Sequence, residues 1–176
     1  VQRPLELPNW SVIGHVSHRK VARQAAAESL VVLKNENDLL PLSLGGGRRI
    51  CIAGRAAHDA GMQMGGWTLG WQGTSGRLPT RVITVLDGLR GHAVTAGVGG
   101  NVYYRRKGNC QGTDVAVVVV GEAPYAEFHG DVKSMPKPQD LQLVDQIRRR
   151  SPKMPLLLLT ISGRPIDIQD AVRKAS

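Results

Sequence analysis

The sequence predicts an α/β fold: a mostly parallel β-sheet flanked by helices. Residues Asp114 to Val120 form a near-continuous valine run, the pattern of a parallel strand covered on both faces. A second apolar run of strand length, Pro155 to Ile161, follows an amphipathic helical pattern at Asp140 to Arg149. Strand and helix patterns alternate along most of the chain, which builds a parallel sheet with helices on both faces.

Taken in order, Val1 to about Ser17 holds Pro4, Pro8 and Trp10 without helical period and reads as an extended connector. From His18 a helix is expected, with Val21, Ala22, Ala25, Leu30 and Leu33 near helical spacing and stopped by Asn35 and Asn37. Leu39-Leu40-Pro41-Leu42 reads as an apolar turn and Gly45 to Gly47 as a flexible hinge. Arg49 to Ala53 is a short strand, Thr80 to Leu89 a helix capped by Thr80, and His92 to Ala96 a candidate strand. The valine strand, the helix at Asp140 to Arg149, with Leu141, Val144 and Ile147 on one side, and the strand at Pro155 to Ile161 follow. A last helix begins near Ile166. Gly97 to Asn109 matches no element.

With 176 residues and 41% hydrophobic content, the chain can bury a sizeable core. No apolar run approaches the roughly 18 residues of a membrane span, and no signal-peptide pattern opens the chain. Lys plus Arg outnumber Asp plus Glu by 23 to 14, a net charge of +9. No zinc-finger spacing, RNA-recognition signature or basic heptad accompanies that charge. A solvated basic surface is the plainer reading, and nucleic acid is not expected as a partner. Cys51, in an apolar strand, reads as a small core hydrophobe, and Cys110 lies in a polar loop. Sequence leaves a disulfide between them open, and with it the compartment.

Two segments carry the chemistry. GGWTLGWQG, Gly65 to Gly73, places two of the three tryptophans, Trp67 and Trp71, in one glycine-rich loop. Either indole could pack on the domain's own surface. As a ligand platform, its face would carry the apolar face of a pyranose while neighbours such as Gln72 bond the hydroxyls. GEAPYAEFHGD, Gly121 to Asp131, follows the valine strand and carries Glu122, Glu127 and Asp131. Pro124 and Tyr125 stiffen this loop, which suits a general acid that must be presented rigidly to a leaving oxygen. His129 could tune that carboxylate or be an exposed loop histidine. Arg164, in Gly163-Arg164-Pro165, reads as structural, anchoring a neighbouring loop by a carboxylate fork. Both loops and Arg164 lie at carboxyl ends of strands, where α/β sheets gather function. Gly45 to Arg48 precedes its strand and lacks the Gly-Lys-Ser/Thr ending, which rules out a phosphate loop.

Four segments together resemble the second domain of glycoside hydrolase family 3, the β-glucosidase and β-glucan exohydrolase family. They are HRKVARQAAAESLVVLKNENDLLPL (His18 to Leu42), IAGRAAHDAGMQMGGWTLGWQG (Ile52 to Gly73), VVVVGEAPYAEFHGD (Val117 to Asp131) and LTISGRPIDI (Leu159 to Ile168), in family order. The resemblance implies a three-layer α/β sandwich over residues 18–176, incomplete at its C-terminus, with residues 1–17 as an interdomain linker. It implies that Glu127 is the acid/base glutamate and that Trp67 and Trp71 stand beside the sugar subsites. The implied reaction is retaining hydrolysis of a β-glucoside or oligosaccharide, with no cofactor and no metal. Its nucleophile would be an aspartate on a (β/α)8-type barrel that this chain does not contain. The isolated chain is therefore expected to be inactive, and the parent is expected to be periplasmic or secreted. A non-catalytic carbohydrate-binding or interaction module is the alternative.

Overall fold

The computed structural model describes residues 10–76, 78, 82–97 and 99–176. The chain divides into two compact units, Val1–Leu33 and Lys34–Ser176.

In the first unit, helix α1 spans Val16–Glu28 and is exposed on all sides. His15 caps it by accepting from Ser17 N, and Gln24 donates to Glu28 at 2.8 Å along one face. The helix expected to reach Leu33 stops at Glu28. The Ser29 hydroxyl donates back to Ala26 O at 2.9 Å, and the β-branched pair Val31-Val32 that follows favours extended backbone. Pro4 and Pro8 of the expected connector lie outside the described residues.

The second unit is built on a four-stranded parallel sheet: β1 (Ile50–Ala53), β2 (Val102–Tyr104), β3 (Val115–Gly121) and β4 (Leu156–Ile161), in spatial order β2-β1-β3-β4. Register pairs Ile52 with Val117, and Val118 with Leu158. Every residue of β3 is buried. Alternate side chains divide the sheet between two cores. Ile50, Ile52, Val115, Val117 and Val119 pack with Met62, Leu86 and Ala93 on one face. Cys51, Ala53, Ala116, Val118 and Val120 pack with Leu143, Val144, Ile147 and Ala171 on the other. The first set meets α2 (Ala60–Met64) and α3 (Val85–Thr95); the second meets α4 (Gln142–Arg150) and α5 (Gln169–Lys174). The fold is thus α/β with helices on both faces. Each buried branched side chain contributes about 1.5–3 kcal/mol.

Several expectations are corrected. The strand expected at His92–Ala96 is the end of α3: Leu86 and Ala93, seven apart, are both buried, so helical period sets their burial. The start of that helix is set by Thr84, whose hydroxyl accepts from Asp87 N while the Asp87 carboxylate accepts from Thr84 N, a reciprocal capping box. The expected cap, Thr80, lies outside the described residues. The unassigned stretch 97–109 contains β2, a three-residue edge strand too short to leave a periodic signal. Cys51 does not pack as a free hydrophobe: it forms a disulfide with Cys110, their Cα atoms 5.5 Å apart. Both cysteines are buried, Cys110 included, although its neighbours are polar.

The apolar turn at 39–42 contains a cis Leu40–Pro41 bond. Leu39 and Leu42 pack on the first core, while Asn35 closes the turn by accepting from Leu40 N and donating to Leu40 O, both at 2.9 Å.

Candidate functional site

Because all four strands are parallel, the segments that follow β1, β3 and β4 leave the same edge of the sheet. There the two loops singled out by sequence come into contact.

The tryptophan loop grows out of α2. Asp59, 4% exposed, caps this short helix by accepting from Met62 N at 2.9 Å. The same carboxylate oxygen accepts from Gly76 N at 2.6 Å, and Gly61 N donates to Gly76 O at 3.0 Å. The two ends of the excursion are thereby tied together. Inside it, Trp67 N donates to Trp71 O at 2.9 Å and Gly73 N to Gly70 O at 3.0 Å. Trp67 and Leu69 take left-handed backbone, φ 57° and 60°. Trp67 is 69% and Trp71 43% exposed, so neither indole is consumed by the core.

The loop after β3 meets this one backbone to backbone. A Cβ on Gly66 would overlap the Tyr125 carbonyl, and one on Gly73 would stand 2.7 Å from Pro124 Cβ. Gln72 does not face open solvent as a donor to sugar hydroxyls: its Oε1 accepts from Ala126 N at 2.8 Å. Its Nε2 is buried without a partner among the described residues. Aromatic rings gather at the junction. Trp71 lies 6.4 Å from Trp67, 5.3 Å edge-on from Phe128, and 6.1 Å from the near-parallel ring of His129. Such spacings suit offset and edge-to-face aromatic packing. Phe128 was missed by sequence reasoning, although its place beside Glu127 and its status as the chain's single Phe were available signals.

The carboxylates of this loop separate by environment. Glu122 is spoken for: Arg164 grips it with Nη2 at 2.6 Å and Nε at 3.0 Å from Oε1, and the Ser162 hydroxyl donates to Oε2 at 2.6 Å. Burial pushes its carboxyl up, but the hydrogen bonds from Arg164 and Ser162, with the Arg164 charge, outweigh it and hold the group below its ordinary value. Arg164 also donates through Nη1 to Gly130 O and stacks over Tyr125 at 4.2 Å, so the expected fork is present. Glu127 opens a short 3-10 turn, Glu127–Gly130, with left-handed φ of 50°. It is exposed, and no hydrogen bond or ion pair to its carboxylate is found among the described residues. Asp131 ends the turn and is also exposed.

Two adjoining hollows flank the loop and share Glu122 and Tyr125. One, of about 430 Å³, is lined by Met62, Gly66, Ile161 and Gly163 among others. The other, of about 330 Å³, is lined by Gln72, His129, Lys137, Gln139 and Arg164. Among the described residues, no group of three or more His, Cys, Asp or Glu is placed to hold a metal ion, and no helix is long and apolar enough to cross a membrane.

The fold recurs in known proteins. The sequence profile of the glycosyl hydrolase family 3 C-terminal domain matches residues 30–176. The chain is similar to a lysosomal beta glucosidase of Dictyostelium discoideum, 28% identical over 92% of this chain and 22% of that protein. It is also similar to a beta-xylosidase of Formosa agariphila, 28% identical over 88% of this chain and 23% of that protein. Among solved structures, an exo-1,3/1,4-beta-glucanase from a Pseudoalteromonas species superposes with a TM-score of 0.81 at 33% identity, covering 92% of this chain and 20% of that one. The chain therefore spans about a fifth of the length of these relatives.

Proposed function

The chain belongs to the glycosyl hydrolase family 3 C-terminal domain family, and from that membership we propose that it supplies the general acid/base of a retaining β-glucosidase or exo-β-glucanase. Glu127 protonates the leaving oxygen while an aspartate on a separate (β/α)8-type barrel attacks the anomeric carbon. In the second step Glu127 takes a proton from the water that releases the glycosyl group. Retention needs the two carboxyls roughly 5 Å apart, so the domain acts seated against its barrel and is inactive alone. Trp67 and Trp71 carry the apolar faces of a β-glucoside or oligosaccharide.

The observation that carries this reading is the contrast between two glutamates of one loop. Glu122 is neutralised by Arg164, whereas Glu127 has no partner for its carboxylate among the described residues and adjoins Phe128, whose ring meets Trp71 at 5.3 Å. A carboxylate on the turn whose Phe128 and His129 meet the exposed Trp71 has the chemistry and surroundings for glycosyl transfer. The disulfide supports a periplasmic or secreted parent, because such bonds persist in oxidising compartments.

The test is turnover. This chain alone is expected to leave 4-nitrophenyl β-D-glucoside intact, and joined to the barrel to hydrolyse it. There Glu127→Ala loses about 10²–10⁴-fold on alkyl glucosides, the range of general acid catalysis, and less on dinitrophenyl glucoside, whose leaving group needs no proton. Equal losses on both substrates would remove Glu127 from the acid role. The exposure of both indoles also supports a second reading, a sugar-binding module without chemistry. It expects saturable binding of cellobiose to this chain, abolished by Trp71→Ala, and no Glu127 effect in any assembly.

A further inference from the structure

We infer that Gln72 is a positioning residue for Glu127, fixing the backbone from which the acid/base carboxylate is presented; the inference rests on the role proposed for Glu127. Its Oε1 accepts from Ala126 N at 2.8 Å across 54 residues of sequence. Among the described residues this is the one side-chain hydrogen bond to the backbone of residues 125–128. Ala126 N is the amide immediately before Glu127, and the Ala126 side chain is 4% exposed. An amide N–H can only donate, so the carboxamide must turn its oxygen toward Ala126. Its Nε2 is then buried with no partner among the described residues. The contact is held although it leaves a donor unsatisfied.

The reason lies in the backbone. Ala126 is extended, φ −139° and ψ 149°, and Glu127 then turns left-handed with φ 50°. A non-glycine residue persists there only where the chain on both sides is held. Tyr125 is held by the Arg164 stack at 4.2 Å, and by close packing at Gly130, where a Cβ would meet the tyrosine ring. Gln72 holds Ala126, the last residue before the reversal. A reacting group displaced by about 1 Å can lose about 10²-fold in rate, so the tryptophan loop sets the geometry of the acid as well as offering rings to the sugar.

Amide hydrogen exchange on the 176-residue chain, read by NMR, tests the clamp. Losing a bond of ordinary strength should speed Ala126 exchange roughly fivefold or more in Gln72→Ala, with Val117 to Val119 unchanged. Gln72→Met, which keeps the length but lacks the acceptor, should match it if the alanine variant does not fold. Gln72→Glu, which keeps an acceptor at the same reach, should restore protection. Unchanged Ala126 exchange in the variants lacking the acceptor overturns the proposal. In the barrel-bearing enzyme, Gln72→Ala should lower kcat about 10-fold to 100-fold with KM nearly constant, and Gln72→Glu should recover most of it. Faster exchange with unaltered kcat also overturns the positioning role. Unaltered turnover in Glu127→Ala strikes the catalytic reading instead, and the exchange result then describes a purely structural clamp.

Discussion

Arg164 closes a fork on Glu122, with Nη2 2.6 Å and Nε 3.0 Å from Oε1, and joins the turn after β4 to the first residue beyond β3. The two side chains are only 20% and 10% exposed. The same guanidinium reaches Gly130 O and covers the Tyr125 ring, so one cation fastens both ends of the loop that carries Glu127.

Breaking that fork should cost far more than breaking a surface ion pair. Arg164→Ala strands a partly buried carboxylate, and a loss of about 2–4 kcal/mol is expected from urea denaturation. Arg164→Lys should recover little of it, because an ammonium has neither the planar fork nor the ring-stacking face. A loss below about 0.5 kcal/mol would place the pair among ordinary surface bridges.

The same pair sets an acid limit. The folded Glu122 carboxyl lies below its ordinary value, so its contribution is complete above the ordinary glutamate range and fades as pH falls through the folded value. Asp114 behaves likewise: hydrogen bonds from Arg49 lower it to about 2. The urea midpoint should therefore fall between about pH 5 and about pH 3, and Glu122→Gln should flatten that slope. An equally steep slope in Glu122→Gln would assign the acid sensitivity to other groups.

Gly66→Ala should separate the two loops. The new methyl would overlap the Tyr125 carbonyl, a backbone atom that cannot move without shifting Ala126. A cost of about 1–3 kcal/mol is expected, as for overpacking, together with altered tryptophan fluorescence as Trp71 parts from Phe128 and His129. Wild-type stability and an unchanged spectrum would mean that the loops are not in backbone contact in solution.

The disulfide ties β1 to the loop beyond β2 across 59 residues. Reduction, or the Cys51→Ala/Cys110→Ala pair, should lower stability by about 2–5 kcal/mol. Thermal melts with and without reductant check this. Coincident melts would show that the bond adds nothing to the fold.

Much of the site was legible because its signals are local. A valine run announces a strand buried on both faces, and glycines around scarce tryptophans announce a loop with exposed rings. Parallel connection then requires both loops to leave one edge of the sheet. The misreadings arose where local pattern was weak or double. His92-Ala93-Val94 alternates like a strand, yet Ala93 is buried by its helical spacing from Leu86. Val102–Tyr104 has strand-favouring residues but is too short to show a period.

By itself, the sequence determined the alternation of strands and helices and the two loops of the candidate site, since burial pattern and turn residues act over a few neighbours. It could not assign partners. Glu122 and Glu127 sit five residues apart in one loop, and only the approach of Arg164, 42 residues on, neutralises one, while the other has no partner among the described residues. Gln72 meets Ala126 across 54 residues, and Cys51 meets Cys110 across 59. Those pairings follow from strand order and register, which are settled by how the whole sheet packs between its helices.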